Sequence, residues 1–255
     1  MCTVTYIPTK NGAILTSNRD EHISRGIALY PEIYQFNNRK LIYPKDSKAG
    51  GTWFISNEHG DAGVLLNGAF EKHIPTPPYR KSRGHVLPEI FQFTSPFDAL
   101  KEYNLAGIEN FTIILWEQGI LREFKWDGGK LKMKLHDKGQ AHIWSSVTLY
   151  DENMIAERHG WFNNWLQLHS EISQKDILNF HTGTHTANKD YGLLISRKNK
   201  ISTTSTTSLC VRQQKAELYH RDFIQNIESI LQYDLMQVQH FNTLTTYESE
   251  FAKKN

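Results

Sequence analysis

The chain reads as an α+β protein in which antiparallel sheets are covered by helices, and three observations predict this. At least seven short runs rich in β-branched and aromatic residues are separated by Gly, Asn, Asp or Pro turns. The helical patterns fall in two blocks, around residues 84–103 and 152–180, rather than one after each strand, which argues against a parallel βαβ series. The 255 residues contain no repeat and no linker, so a single domain over 1–255 is expected.

Residues 4–7 and 13–16 are β-rich runs around the turn cluster Pro8-Thr9-Lys10-Asn11-Gly12, a β-hairpin pattern. If Ile7 sits opposite Ala13, Cys2 falls opposite Asn18. If Asn11-Gly12 is a tight turn, Cys2 falls opposite Glu21. Both registers bring the N-terminus beside Asn18-Arg19-Asp20-Glu21. Residues 22–48 hold turn residues at Pro31, Asn37-Asn38, Pro44 and Asp46, and a surface loop with short extended pieces over 26–36 and 41–43 is expected. Residues 49–56 enter a strand through Gly50 and Gly51, which permit positive φ or close backbone approach. Trp53 belongs to the core or walls a pocket.

An apolar strand over 62–66 ends at Asn67. Pro75, Pro77 and Pro78 make 70–83 a loop, whose basic residues Arg80, Lys81 and Arg83 suit solvent or an anionic substrate tail. A helix is expected over 84–93, and another runs to Tyr103 with Ser95 as N-cap and Pro96 behind it. Strands follow over 110–116, 119–126, 130–136 and 141–147. Asp151 caps a helix over 152–169, with Ile155, Trp161, Trp165 and Leu168 as its buried stripe, and a second helix spans 174–180. His181 and His185 stand four apart in a loop-like Thr-Gly-Thr context with no third ligand, so no metal site is expected. Strand composition returns over 192–196, 202–212 and 216–223. Residues 227–238 read as strand or helix, and 247–255 as a frayed tail.

Lysine and arginine number 29 against 27 acidic residues, which leaves no polybasic footprint for nucleic acid or membrane. Cys2 and Cys210 give no disulfide framework, no signal-peptide pattern opens the chain, and no apolar run approaches the roughly 18–20 residues of a membrane span. A soluble cytoplasmic protein is expected, with its oligomeric state left open.

The N-terminus carries the chemistry. Met1 precedes a small residue, the situation in which initiator methionine is removed, so the mature chain would begin at Cys2 with a free α-amine. A thiol and an amine of reference pKa about 7.7–8.0 make nucleophile and base in one residue. Arg19 suits stabilisation of the thiolate, and Asp20 suits a hydrogen bond to the α-ammonium or to the arginine. A plain buried strand cysteine fits the same position.

Met1-Cys2-Thr3, Ser17-Asn18-Arg19-Asp20-Glu21, Gly50-Gly51-Thr52-Trp53 and Leu66-Asn67 together resemble the NRDE family, which includes the transport and Golgi organisation proteins. That family is similar in fold to the N-terminal-nucleophile hydrolases, whose cysteine branch contains bile-salt hydrolases and penicillin V acylases. The resemblance implies a four-layer αββα sandwich, with Cys2, Arg19, Asp20 and Asn67 catalytic, Asn67 as oxyanion donor, and Asn18, Trp53 and Ser146 beside the substrate. It implies a cofactor-free amidohydrolase or acyltransferase for a small amide or acyl substrate, or alternatively a non-enzymatic carrier of haem or lipid. Two positions depart from the pattern: Ser145-Ser146 where relatives have Ser-Asn, and Thr204 and Thr206 where relatives place an arginine and an asparagine.

Overall fold

The computed structural model describes residues 2–198 and 200–236. Met1, the side chain of Cys2 and the expected tail over 247–255 lie outside the described residues.

Two antiparallel sheets pack face to face. The first has the order β10-β1-β2-β11-β12-β13, from β1 (Cys2–Thr9), β2 (Gly12–His22), β10 (His142–Ser145), β11 (Ile201–Arg212), β12 (Lys215–Asp222) and β13 (Ile227–Asp234). The second is a meander, β3 (Ala28–Phe36), β4 (Arg39–Asp46), β5 (Phe54–Asn57), β6 (Ala62–Asn67), β7 (Phe111–Glu117), β8 (Ile120–Trp126) and β9 (Leu131–His136). Helices α1 (Val86–Ile90) and α2 (Pro96–Glu102) cover the second sheet, and α3 (Glu152–Gln167) and α4 (Gln174–Gly183) cover the first. The result is the expected αββα sandwich.

Strand alternation divides the apolar residues among three cores. Val4, Tyr6, Leu15, Leu209 and Leu218 meet Phe54, Val64, Leu66 and Ile114 between the sheets. Ile55, Leu65, Ile113 and Phe124 face Val86, Ile90 and Leu100 outside the second sheet. Ile7, Ile14 and Cys210 face Phe162, Ile177 and Phe180 outside the first.

The N-terminal hairpin has neither expected register. Thr9 pairs with Gly12 around a two-residue loop, Lys10-Asn11, so Ile7 faces Ile14 and Cys2 faces Arg19. Gly12 is needed there because a Cβ would come within 2.0 Å of the Val211 carbonyl oxygen on β11. The extended pieces expected over 26–36 and 41–43 are β3 and β4, but they form a paired ribbon rather than a surface loop, turning at Asn37, whose φ of 51° is the left-handed conformation asparagine tolerates. The helix expected over 84–93 shrinks to a 3-10 turn followed by α1. The strand expected over 192–196 is absent, leaving a bridge from Ser196 to Ser202.

The helix after Asp151 starts at its expected cap, with Asp151 accepting from Met154 N–H, and α4 starts at a capping box of Ser173 and Asp176. The buried stripe of α3 is different from the expected one. Arg158 and Phe162 are buried, whereas Leu168 is 81% exposed beyond the helix end. Helix α4 extends through His181, which was expected in a loop. No described helix is long and apolar enough to cross a membrane.

The Ser-Thr tract of β11 is a central strand, buried from Thr203 to Ser208. β-Branched threonines fit the pleat, and short hydroxyls can bond across it. Ser208 shares a hydrogen bond with Thr16 at 2.8 Å, Thr207 with His220 at 2.8 Å, and Thr206 donates to Asn18 Oδ1 at 2.7 Å.

Candidate active site

Register and alternation decide which residues of the Ser17–Glu21 segment meet. Odd-numbered residues of β2 point between the sheets, as Ala13 and Leu15 do, and even-numbered ones point toward α3 and α4, as Ile14 does. Arg19 and Glu21 therefore share one face, and Asn18 and Asp20 the other.

Arg19 is 4% exposed and firmly held. Its guanidinium donates to Asp46 Oδ2 at 2.7 Å and Thr204 Oγ1 at 3.1 Å, and it lies 4.5 Å from the Trp53 ring centroid. Thr204 is the bulged residue of β11, at the register shift between Thr203 and Ser205, and its hydroxyl also bonds Arg19 carbonyl oxygen. Thr204 thus helps position Arg19. Asp46 additionally accepts from Arg25 Nε at 3.0 Å and from Lys48 and Ala49 N–H. Burial pushes the Asp46 carboxyl up, but the Ala49 N–H, Arg25 and Arg19 outweigh it and hold it below the ordinary range.

Arg19, Arg25, Asp46 and Ala49 line a cleft of 340 Å³. Trp53, buried and packed in the inter-sheet core, forms part of its wall. Asn67, at the end of β6 in the facing sheet, lines the same cleft, and its carboxamide makes no hydrogen bond to another described residue. Its backbone is pinned, because Ser146 Oγ donates to Asn67 carbonyl oxygen at 2.7 Å. Gly68 follows with φ of 84°, and a Cβ there would meet Thr148 and Val147 at 2.7 Å. Ser146 itself is buried and acts on the cleft through Asn67. Across the cleft, Arg83 pairs with Glu109 at 3.2 Å and donates to Asn110 carbonyl oxygen. Burial lowers the pKa of that guanidinium, with Glu109 opposing.

Asn18 and Asp20 are elsewhere. The Asn18 carboxamide is fully buried and spent on His181 and Leu193 carbonyl oxygens, at 3.0 and 2.8 Å, and on Thr206. It is unavailable to a substrate, contrary to expectation. Asp20 accepts from Tyr150 at 2.8 Å and Thr203 at 2.7 Å. Burial raises its pKa, opposed by Arg158 and both hydroxyls. Arg158, fully buried, lies 3.6 Å over Tyr150 and bonds Thr3, Tyr191 and Gly192. That region is a polar knot locking α3 to the first sheet.

Glu21, Arg25, Asp46 and Glu109 line the cleft without having been expected there, whereas Arg83 and Lys81 come from the loop whose basic residues suited an anionic substrate tail. Alternation along β2 would have found Glu21 once the register was known. The others meet only through long-range packing. Among the described residues no group of three His, Cys, Asp or Glu can hold a metal ion.

The profile of the family described as Transport and Golgi organisation 2 matches residues 1–233. No curated protein matches the chain. Among solved structures, a cysteine-to-alanine variant of the conjugated bile acid hydrolase from Clostridium perfringens aligns with TM-score 0.54 and 10% identity over 95% of this chain and 100% of that one. The Caenorhabditis elegans N-acylethanolamine-hydrolyzing acid amidase ortholog aligns with TM-score 0.56 and 9% identity over 82% and 92%. An arginine-to-leucine variant of the Clostridium enzyme gives 0.52 and 10% over 94% and 100%. At such identities the likeness is one of fold, and the fold is the sandwich of N-terminal-nucleophile hydrolases.

Proposed function

Because the chain belongs to the Transport and Golgi organisation 2 family and shares its fold with amide-cleaving N-terminal-nucleophile enzymes, we propose that it is a cysteine amidohydrolase or acyltransferase for a small-molecule amide, with Cys2 as nucleophile after removal of Met1. The observation that carries this reading is the pairing of Cys2 with Arg19 at the strand end, beside a cleft that Asn67 also lines.

In this mechanism the Cys2 thiolate adds to the amide carbonyl while Arg19 favours the thiolate. The Asn67 NH2 donates to the oxyanion, a contribution of about 3 kcal/mol when such a donor is pre-aimed. The α-ammonium protonates the leaving nitrogen as the C–N bond breaks, leaving a thioester. Water, or an acceptor amine in transfer, gives its proton to the α-amine and attacks the thioester, restoring the thiol. A working free thiol favours a reducing compartment such as the cytoplasm.

The test is intact mass before and after brief iodoacetamide treatment, followed by assay on a panel of N-acyl amides. Met1 is expected to be absent, with Cys2 alkylating with an apparent pKa well below about 8.5. Cys2→Ala is expected to lose at least about a hundredfold in turnover while remaining folded; equal turnover by that variant would sink the mechanism. The carrier alternative predicts ligand binding that does not depend on the free α-amine. Haem or acyl-chain binding unaffected by retention of Met1 would favour it.

A further inference from the structure

We infer that Glu21, not Asp20, is the carboxylate that holds the α-amine of the mature chain, an assignment that rests on the reading of Cys2 as an N-terminal nucleophile. Cys2 is opposite Arg19, so the next residues of β2 run past the point where the mature β1 begins. At about 3.3 Å per residue, both carboxylates lie within a few ångströms of the strand end along the chain direction. Alternation then separates them. Glu21 is on the Arg19 face and lines the cleft; Asp20 is on the helical face and fully buried.

Hydrogen-bond accounting separates them further. Each Asp20 oxygen already accepts a hydroxyl, from Thr203 and Tyr150. Glu21 Oε1 accepts from His22 N–H at 2.9 Å, while Oε2 has, among the described residues, only a 4.0 Å contact with Arg19, whose nearest nitrogen is spent on Asp46. An ionised carboxylate offers about four acceptor positions; among the described residues Asp20 has two filled and Glu21 one, so Glu21 retains the greater capacity for an ammonium, on the cleft side. Burial works against its ionisation, yet its pKa is held below the ordinary range, with the His22 N–H, Arg19 and Arg25 among the groups that lower it. Glu21 is thus a positioning residue: it acts through the amine, keeping the proton donor on the cleft side of the strand end.

The experiment measures the amine without any substrate. In a Cys2→Ala background, where the mature chain still begins with a free α-amine, the rate of N-terminal acetylation by acetic anhydride is followed against pH by mass spectrometry. Glu21→Gln is expected to lower the apparent amine pKa by about one unit, so that acetylation near neutral pH speeds up by as much as about tenfold. Glu21→Asp is expected to restore part of the shift, and Asp20→Asn to leave the amine unchanged. No shift in Glu21→Gln, or a larger one in Asp20→Asn, overturns the assignment; circular dichroism confirms that each variant is folded. With Cys2 present, the alkaline limb of kcat/KM should move down by the same amount in Glu21→Gln. If the amine shifts as expected but Cys2→Ala retains amide turnover, Glu21 stands and the hydrolase reading falls. Retention of Met1 overturns both.

Discussion

Arg19 is buried by one wall of the cleft and neutralised by another, and this dual anchoring sets its geometry. Trp53 stacks on one side, Thr204 holds one nitrogen, and Asp46 binds another in a charge-assisted bond. Removing one partner of a buried pair leaves the other charge uncompensated, at a cost of about 3–5 kcal/mol. Asp46→Ala is therefore expected to lower unfolding free energy by about 3 kcal/mol in urea titration, whereas Arg25→Ala, which removes a partly exposed partner of the same carboxylate, should cost under about 1 kcal/mol. Similar losses in both variants would show that the Asp46–Arg19 contact contributes little.

At the scale of elements, caps and turns obey local chemistry closely. Ser95, Asp151 and Ser173 each accept the N–H three residues on. Ser173→Ala removes one side of a capping box and is expected to cost about 1 kcal/mol, measurable as a fall in urea midpoint with unchanged slope. A changed slope would instead mean that α4, which packs Ile177 and Phe180 on the first sheet, detaches as a unit. Local chemistry was less able to locate β3 and β4, since Pro31, Asn37 and Pro44 read as loop formers. Pairing with each other and with β5 overrides those preferences. The α3 stripe failed for a different reason: Arg158 is buried because Thr3, Tyr191 and Gly192 take its donors, and no helical periodicity encodes those partners.

Across the whole molecule, two histidines tie stability to pH. His181 shares a hydrogen bond with Thr5 and His220 with Thr207, both deep in the sandwich. Desolvation lowers their pKa to about 3 and about 4, with Arg158 and Arg19 respectively adding to the effect. The unfolded chain takes up protons on these residues near pH 6.5 while the folded chain does not, so their contribution is complete above that pH. It is lost as the pH falls toward 4 for His220 and 3 for His181. Each histidine should remove about 1.4 kcal/mol of stability per pH unit within its window. Denaturation between pH 6 and 5 should show the two contributions together, about 2.8 kcal/mol per pH unit, and His220→Gln should flatten the slope by one histidine's share; an unaltered slope would mean that His220 protonates freely in the folded state.

By itself the sequence determined what depends on neighbours along the chain: the α+β pattern of strands with two helical blocks, the strands from Phe111 to Ser145, the Ser95 and Asp151 caps, and the motif residues Arg19, Trp53 and Asn67 that the cleft gathers. These follow from periodicity and capping, which act within a few residues. The tertiary structure decided the hairpin register, the strand character of β3 and β4, and the partners of every buried charge. It also turned Asn18 and Asp20 away from Arg19 and left Glu21 beside it. The physical reason is the two-residue period of a strand: one step of register exchanges the faces of every side chain, and the contacts that choose the step, Arg19 with Asp46 and Asp20 with Tyr150, join residues far apart in the chain.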